Sequence, residues 1–592
     1  MKRDRTPKRK VNQGVKVDSD QGEGRPLSAS APSLTRRAFL GSVGRGAAAV
    51  IAAGAVGPLL ERKSARVDAA EVGPSSGVVR RAQAFQIRQD AALFQQQLPI
   101  PDHPTNADEV LFPTKIGNYS KGLPHNDLGE VLPTAYDALV HALSTGQPND
   151  FEAIPLGCPD PERQRKLVDP QAGLAFDLQG TDSHQFAIPP APAFDSAEEA
   201  AEMVELYWMA LARDIPFTEY DRFSTTRAAA AELSRLSDFR GPRAGGQVTT
   251  GTLFRGFTPG DLEGPYISQF LLKTVTFGPE EIIQRIRTVL PGIDYMTEYA
   301  DWLSVQNGCT AEPSVQFDPR RRYIRNGRDL AAYVHVDVLF QAYFNACLIL
   351  LEMGAPLNPG NPYNDSETQV GFGTFGAPHV TALVAEVATR ALKAIWYEKW
   401  FVHRRLRPEE FGGRVHNHLS GAAIYSIHPD VLNSQAVQKV FRRTRSHLLP
   451  QAYPEGSPLH PSYGAGHATV GGACVAILKA FFDESFLISD PVVPSPDPPA
   501  RGLAAGAHGL SLVPYTGPGA NNLTVGGELN KLAANIATGR NFAGIHWRSD
   551  YTESLKLGEA VAISILRDQR PTCNEDFAGF TFTKFDGATV TV

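Results

Sequence analysis

Apolar residues recur at the three-to-four-residue spacing of helices along most of the chain, which predicts a mainly α-helical protein. The periodic stretches are residues 78–98, 134–145, 196–213, 226–236, 279–288, 329–353, 377–402, 467–482, 526–541 and 550–569. Ser196 and the glutamates that follow it form an N-terminal capping pattern. Strand-like alternation is best at residues 580–584 and 589–592. The helices are numerous enough for a large domain built on two four-helix-type bundles, with few short strands.

Loops rich in proline and glycine separate these helices, notably at residues 102–133, 150–193 and 483–525. After residue 70 no apolar run is long enough to form a membrane-spanning helix. We therefore expect one helical domain over residues 71–592, with its active-site half at roughly residues 377–570.

The first 70 residues differ from the rest. Residues 1–34 are basic and rich in Ser, Gly and Pro, which predicts a disordered leader. In residues 35–70, Arg36 and Arg37 are followed by Phe39-Leu40 and a soft Gly/Ala-rich apolar stretch, which resembles a twin-arginine export signal. The alternative is a chance pair of arginines before a short helix. The export interpretation places the mature protein in the periplasm or outside the cell.

Composition narrows the class of protein. Apolar residues make up 42% and charged residues 20% of the chain, which are globular values. After residue 70 the chain is acidic, so nucleic acid and anionic membranes are not expected partners. Its five cysteines are far apart and form no CxxC pair, which argues against zinc and iron–sulfur sites. The five cysteines allow one or two disulfides.

A glycine turn between two histidines feeds the helix predicted at residues 467–482. The turn runs from His460 to His467 and contains Pro461, Gly464 and Gly466. Such a turn leaves backbone N–H groups free at a positive helix end, which suits an anion. A histidine there can exchange a proton near neutral pH. The alternative is a turn whose glycines only permit tight packing.

Two basic clusters accompany this turn. Lys399 lies near the end of the 377–402 helix, and Arg407 precedes a proline that ends helical structure, so the two cations can converge. In the second cluster Arg540 precedes His546, and Asp550 follows that histidine at helical spacing, where it could orient the imidazole. Ordinary helix-terminus charges and a structural histidine are the alternatives. Together the groups suit a compact oxyanion such as phosphate, a phosphoryl group or vanadate.

In this order, the motifs Lys-x7-Arg-Pro, Pro-Ser…Gly-His and Arg-x5-His-x3-Asp resemble the vanadium-dependent haloperoxidases and their acid-phosphatase relatives of the phosphatidic-acid-phosphatase superfamily. Longer runs, including His403-Arg-Arg-Leu-Arg-Pro-Glu and Gly526-Gly-Glu-Leu-Asn-Lys-Leu-Ala, are similar to algal and bacterial bromoperoxidases. The likeness covers most of the chain after residue 80. It implies a vanadate cofactor, hydrogen peroxide, halide and small organic molecules as substrates, and a homo-oligomer.

The resemblance implies a role for each matching residue. The vanadate oxygens would be bound by Lys399, Arg407, Arg540 and the backbone N–H of Gly466. His546 would bond the vanadium itself. Peroxide would be activated on this centre and would oxidise bromide, or iodide or chloride, to a hypohalous acid that halogenates organic substrates without a tight substrate pocket.

The remaining matches concern protons and halide preference. His467 falls at the family's acid–base histidine, and His460 at the second active-site histidine of the algal bromoperoxidases. Trp396 stands where those enzymes have arginine and fungal chloroperoxidases have tryptophan, so His460 and Trp396 point to different halide preferences. Ala465 replaces the serine of the family's Ser-Gly-His motif. One hydroxyl donor is therefore missing, worth roughly 1.5–3 kcal/mol when it binds a charged group.

Two other functions stay open from the sequence. The same pocket could belong to an acid phosphatase, with His546 as nucleophile and His467 as the acid for the leaving group. It could also belong to a non-catalytic protein that binds vanadate or phosphate, which the missing serine at Ala465 favours.

An oxygen-rich loop near the middle of the chain is a candidate structural calcium site. It contains Asn361, Asn364, Asp365, Glu367 and Gln369, near the place where algal relatives hold calcium. A plain solvated loop is the alternative.

Overall fold

The computed structural model describes residues 77–312, 314–496 and 508–592. The predicted leader and export signal, residues 1–34 and 35–70, lie outside these ranges. Residues Gly77–Val592 form one compact unit.

Helices dominate the described ranges, as the sequence predicts. They are α1 (Gly77–Gln97), α2 (Asp108–Leu111), α3 (Pro133–Thr145), α4 (Pro148–Glu152), α5 (Ala197–Ala212), α6 (Ser224–Leu233), α7 (Tyr299–Gln306), α8 (Gly327–Val336), α9 (Gln341–Glu352), α10 (Ala377–Tyr397), α11 (Pro408–Ser420), α12 (Pro429–Leu432), α13 (Gln435–Thr444), α14 (Gly466–Phe481), α15 (Val525–Ala543) and α16 (Arg548–Gln569). Short 3-10 turns occur at Pro170–Leu174, Ser183–Gln185, Phe217–Glu219, Gln269–Leu271 and Arg570–Thr572. The capping role of Ser196 is confirmed, because its hydroxyl accepts the N–H of Glu199 at the start of α5.

The described strands are short and pair two by two, always antiparallel. They are β1 (Val275–Phe277), β2 (Glu280–Ile282), β3 (Ile286–Val289), β4 (Phe317–Arg322), β5 (Val492–Pro494), β6 (Leu512–Pro514), β7 (Thr581–Thr583) and β8 (Thr589–Thr591). The pairs are β1–β2, β3–β4, β5–β6 and β7–β8. The strand pattern predicted near the C-terminus is confirmed by β7 and β8.

Two of the predicted helices are wrong in type or extent. Residues 279–288 fall in β2 and β3 instead. β2 pairs with the adjacent β1, whereas β3 pairs with the distant β4, and its isoleucine and valine suit a strand. Residues 329–353 form α8 and α9, which bend by 100° at the break between them. At that break Asp337 has an extended backbone, with φ −66° and ψ 153°.

The buried helix α14 is the centre of the active-site half. It packs against α10, α15 and α16, and nearly all of its residues are buried. Glycines bring α14 and α16 into backbone contact. A Cβ atom on Gly472 would lie 2.0 Å from the Leu555 carbonyl oxygen, and one on Gly558 would lie 1.9 Å from that of Thr469. Only glycine permits this approach.

Loops of the N-terminal half cover the start of α11. Lys121 is fully buried there and forms an ion pair with Glu409 at 2.9 Å. Nearby, a disulfide joins Cys158 to Cys309 across 151 residues of sequence. These links hold the loops against the helices that carry the candidate site.

Within the described residues, no single helix is both long and apolar enough to cross a membrane. Only α8 and α9 together pass such a test, as a bent pair.

Candidate active site

Lys399 ties the glycine turn to the end of α10. It lies in a π-helical turn, Glu398–His403, that continues α10. Its side chain is fully buried, and Nζ donates to the carbonyl oxygens of Pro461 at 2.8 Å and Ser462 at 2.9 Å. Burial, and then the charge of Arg407, hold the pKa of Lys399 well below its usual value. A bound anion would oppose this shift and favour the charged lysine.

Arg407 contacts both His460 and His546, which lie far apart in the sequence. Its Nη1 donates to His546 Nε2 at 2.9 Å, and its Nη2 lies 2.9 Å from His460 Nδ1. Arg407 is fully buried at the N-cap of α11. Burial lowers the pKa of its guanidinium to about 10, although Glu409 opposes this. The guanidinium therefore remains charged at neutral pH.

Asp550 fixes the orientation of His546. The Nδ1–H of His546 donates to Asp550 Oδ2 at 2.7 Å, so the lone pair of the imidazole is on Nε2. Asp550 also accepts from Arg405 Nη1 at 2.9 Å and from the hydroxyl of Ser462. Burial, and then the charge of Arg407, keep the pKa of His546 well below its usual value. A neutral imidazole can bind a metal centre through Nε2, which in this structure accepts the hydrogen bond from Arg407 Nη1.

The start of α14 supplies backbone donors. Gly466 is the first residue of the helix, and its N–H has no acceptor in the part of the chain that the structure describes. Ala465 is the N-cap residue and offers no side-chain cap. Its own N–H is held by Ser554 Oγ at 2.9 Å. The helix end therefore has unsatisfied donors at a positive terminus.

Arg540 completes a set of three buried cations. Its Nη1 donates to the Val334 carbonyl at 2.6 Å, whereas its buried Nε has no partner within the described ranges. Across residues 77–312, 314–496 and 508–592, no carboxylate lies within 4.0 Å of the side-chain nitrogens of Lys399, Arg407 or Arg540. Buried cations without counter-ions are costly, so this set of donors fits a multiply charged anion.

His467 is paired with an aspartate that sequence reasoning missed. His467 Nε2 lies 3.0 Å from Asp337 Oδ1, at the break between α8 and α9. Burial lowers the pKa of His467 and Arg540 adds to this, while Asp337 opposes it. For Asp337, burial favours the neutral form, but His467 and Arg540 hold the pKa of the carboxyl below its usual value. The prediction of one unbroken helix over residues 329–353 hid this aspartate.

His460 and Trp396 lie side by side at the same site. Their ring centroids are 4.7 Å apart, and Trp396 Nε1 donates to the Val168 carbonyl at 3.2 Å. Lys399 Nζ lies 5.7 Å from the centre of the tryptophan ring. Burial and the charge of Arg407 keep the pKa of His460 well below its usual value. Direct contacts thus link six of the predicted side chains, namely Trp396, Lys399, Arg407, His460, His546 and Asp550. His467 and Arg540 act on this group through their charges, and the chemical roles of all these residues stay predictions.

The candidate calcium loop makes hydrogen bonds of its own. The side-chain amide of Asn361 donates to the Phe375 carbonyl at 3.3 Å, and that of Asn364 donates to the Asn358 carbonyl at 2.9 Å. These two side chains therefore have a structural role, and calcium binding stays a prediction.

Comparison with known proteins gives consistent matches. A family model described as the VCPO second helical-bundle domain matches residues 379–572. The chain is 38% identical over 609 aligned positions to a vanadium-dependent bromoperoxidase of Corallina pilulifera, covering 88% of this chain and 100% of that protein. It is 35% identical to a vanadium-dependent bromoperoxidase of Ascophyllum nodosum, covering 80% and 86%.

A solved structure supports the same relationship. The homohexameric second vanadate-dependent bromoperoxidase of Ascophyllum nodosum superposes with a TM-score of 0.82 at 31% identity. The match covers 90% of this chain and 94% of the other.

Proposed function

The chain belongs to the vanadium-dependent bromoperoxidase family, and from this premise we propose that it uses hydrogen peroxide to oxidise bromide to hypobromous acid, which then halogenates small organic molecules. The observation that carries the proposal is a set of three buried cations whose charges act on His546, while no carboxylate of the described residues lies within 4.0 Å of their side-chain nitrogens. Such a set needs an anionic cofactor, and vanadate is the one that the family implies.

The residues present fit vanadate. Lys399, Arg407, Arg540 and the Gly466 N–H would hold its oxygens, and His546 Nε2 would bond the vanadium. Bound vanadate supplies a Lewis-acidic centre that activates peroxide toward attack by halide. The chain itself contributes fixed donors in a water-poor site, so little reorganisation is needed during the reaction.

His467 is positioned to move protons at this site. We assign it the role of taking a proton from peroxide and returning one to the product. Asp337 would keep the imidazole oriented and would favour its protonated form after the transfer. The neutral resting state of His467, favoured by burial and by Arg540, is the state that a base requires.

A substitution of Lys399, in the π-helical turn that continues α10, tests whether the three buried cations bind the anion. Lys399→Met removes a buried cation, and we expect vanadate affinity to fall by about 100-fold, the equivalent of ~2.7 kcal/mol. Lys393→Met is the matched control, because Lys393 lies on the same helical segment but pairs with Asp177. Binding is measured by calorimetric titration of vanadate into metal-free protein, and turnover by bromination with bromide and peroxide. Equal affinity in both variants would contradict the assignment.

The same preparation separates the competing functions. Halogenation that appears only when vanadate is added supports the peroxidase. Phosphate-ester hydrolysis that vanadate inhibits, without halogenation, identifies a phosphatase instead. Vanadate binding without turnover of either kind identifies a non-catalytic anion-binding protein. Assays with bromide, chloride and iodide in parallel would give the halide preference that His460 and Trp396 leave divided.

We also propose a homo-oligomer. Helix α1 has no buried residue, and its apolar side chains Val78, Phe85 and Leu93 are all exposed. Apolar side chains exposed along one helix are typical of a contact between subunits. Light scattering should give a mass of several subunits, and Phe85→Glu should reduce it. A monomer in the wild type would contradict this proposal.

Export by the twin-arginine route is a separate proposal. The Cys158–Cys309 disulfide supports it, because such bonds persist in oxidising compartments. Replacing Arg36 and Arg37 with lysine should retain the protein in the cytoplasm, as measured by cell fractionation. Unchanged export would exclude this route.

A further inference from the structure

A cavity of about 410 Å³ lies beside the acid–base pair. It is lined by residues of β3, β4 and the break between α8 and α9, and Asp337 is one of them. Since Asp337 also contacts His467, this cavity is one side chain away from the group that we assign to proton transfer. Its volume lies within the range of sites for small organic molecules.

The cavity is lined by both apolar and polar side chains, and its apolar part is partly open to solvent. Ile283 is 47% exposed, Phe317 38% and Val336 84%. Tyr333 also lines the cavity. Its side chain is buried, and its hydroxyl has no hydrogen-bond partner in the described ranges. A buried hydroxyl without a partner, on a residue that lines the cavity, is a group with which a polar ligand could form a hydrogen bond.

Among the described residues that line the cavity, three are arginines and one, Asp337, is acidic. The arginines are Arg285, Arg287 and Arg321, and no carboxylate within the described residues lies within 4.0 Å of any of them. Arg287 and Arg321 face each other directly across the β3–β4 pair. Like charges in that position repel, so the fold keeps an unfavourable pair that an anion would relieve.

The neighbours of Arg321 along β4 are neutralised. Arg322 is buried and pairs with Asp318 at 2.9 Å, and Arg320 lies 4.0 Å from the same carboxylate. Arg287 packs on the ring of Phe317, with its guanidinium carbon 3.9 Å from the ring centre. An aromatic ring placed on the other face of the Arg287 guanidinium would gain stacking, and a negative charge on that ring would gain charge pairing.

We propose that this cavity binds the organic acceptor of the halogenation, and that the acceptor is a small aromatic carboxylate or phenolate. The proposal rests on the bromoperoxidase function only for the source of the oxidant. In the reaction a ring carbon forms a bond to bromine, the O–Br bond of hypobromous acid breaks, and the displaced ring proton joins the hydroxide to give water. A bound ring would be brominated at the positions that the cavity leaves open.

Binding is tested first, without vanadate and on the full chain. Calorimetric titration with 4-hydroxybenzoate should show one saturable site per chain. Arg287→Gln and Arg321→Gln should each weaken it by about 10-fold or more, the effect of one charge-assisted hydrogen bond. Arg320→Gln is the matched control and should bind normally. The uncharged analogue 4-hydroxybenzamide should bind more weakly than the acid.

Product analysis provides the second measurement. During turnover, the ratio of brominated isomers should differ from that produced by reagent hypobromous acid, and Arg287→Gln should return it to the reagent ratio. No binding at millimolar 4-hydroxybenzoate, or equal binding in all three variants, overturns the proposal. So does a Val336→Cys variant that crosslinks between chains in solution, because a second copy would then fill the cavity. Binding without any halogenation would instead count against the peroxidase function alone.

Discussion

The Ala465→Ser substitution would place a hydroxyl group at the N-cap of α14, beside the candidate anion site. Ala465 is fully buried, and its backbone angles, φ −83° and ψ 120°, are those of an N-cap residue. A serine there has two possible partners. It can accept a free N–H of the first helical turn, or it can donate to an oxygen of the bound anion.

The two uses have different energies. An N-cap serine in place of alanine stabilises a helix by about 1 kcal/mol. Because the unfolding entropy is ~2.1 cal/mol/K per residue, a folded unit of roughly 500 residues should gain only about 1 °C in Tm. A hydrogen bond to the charged anion contributes about 1.5–3 kcal/mol. If the hydroxyl leaves the cap to make that bond, the net gain is on the order of 1 kcal/mol, or about 5-fold in vanadate affinity.

The assay compares metal-free and vanadate-loaded protein. Differential scanning calorimetry gives the Tm without vanadate, and titration calorimetry gives the Kd for vanadate. Ala473→Ser is the control, because Ala473 is equally buried but lies inside α14, away from its N-terminus. That variant should lose stability and keep its affinity.

Two results would refute the reasoning. An unchanged Tm in metal-free Ala465→Ser would mean that the hydroxyl does not cap α14. A gain in affinity above about 100-fold would mean that no cap is given up on binding, so the anion lies where it takes the hydroxyl without competition.

Three further predictions concern other parts of the molecule. Asp337→Asn should lower the pKa of His467 further, because Asp337 opposes the effect of burial on that pKa. The acid limb of the pH profile of kcat/KM should therefore move to lower pH, and kcat should fall about 10-fold or more. Burial raises the pKa of Glu398 to about 8 from its usual 4.5, so native protein keeps a proton that the unfolded chain loses. Stability should therefore fall as pH rises between these values, and Glu398→Gln should raise Tm at pH 8 but not at pH 4. Replacing Cys158 and Cys309 with serine should cost about 2–5 kcal/mol in denaturant unfolding, and reduced wild type should match it.

The sequence predicts most of the helices because their apolar spacing is local information. The 467–482 and 550–569 predictions agree with α14 and α16 to within two residues. The failure at residues 279–288 has two causes. β2 pairs with β1 directly before it, and β3 pairs with β4, which lies some 30 residues further along the chain. No local pattern contains the partner of β3.

The candidate site divides in the same way. Asp550 could be assigned to His546 because both lie on one short segment, and the contact is 2.7 Å. We could assign the three cations Lys399, Arg407 and Arg540 because the motifs that contain them occur in the same order as in the haloperoxidase family. Asp337 could not be found, because its contact with His467 spans 130 residues. A signal was present, since Asp337 interrupts an otherwise apolar run between α8 and α9.

The glycine contacts between α14 and α16 have a consequence for how the protein loses activity on heating. Gly472 and Gly558 let the two backbones approach so closely that even a methyl group would not fit between them. α14 carries Gly466 and His467, and α16 begins two residues after His546. The two sides of the pocket therefore cannot separate unless the contact between α14 and α16 breaks. Loss of activity on heating should then coincide with unfolding of the whole domain instead of preceding it. An enzyme that releases a reactive oxidant at its active site is less exposed to oxidation of its interior when the two helices that carry the site cannot move apart.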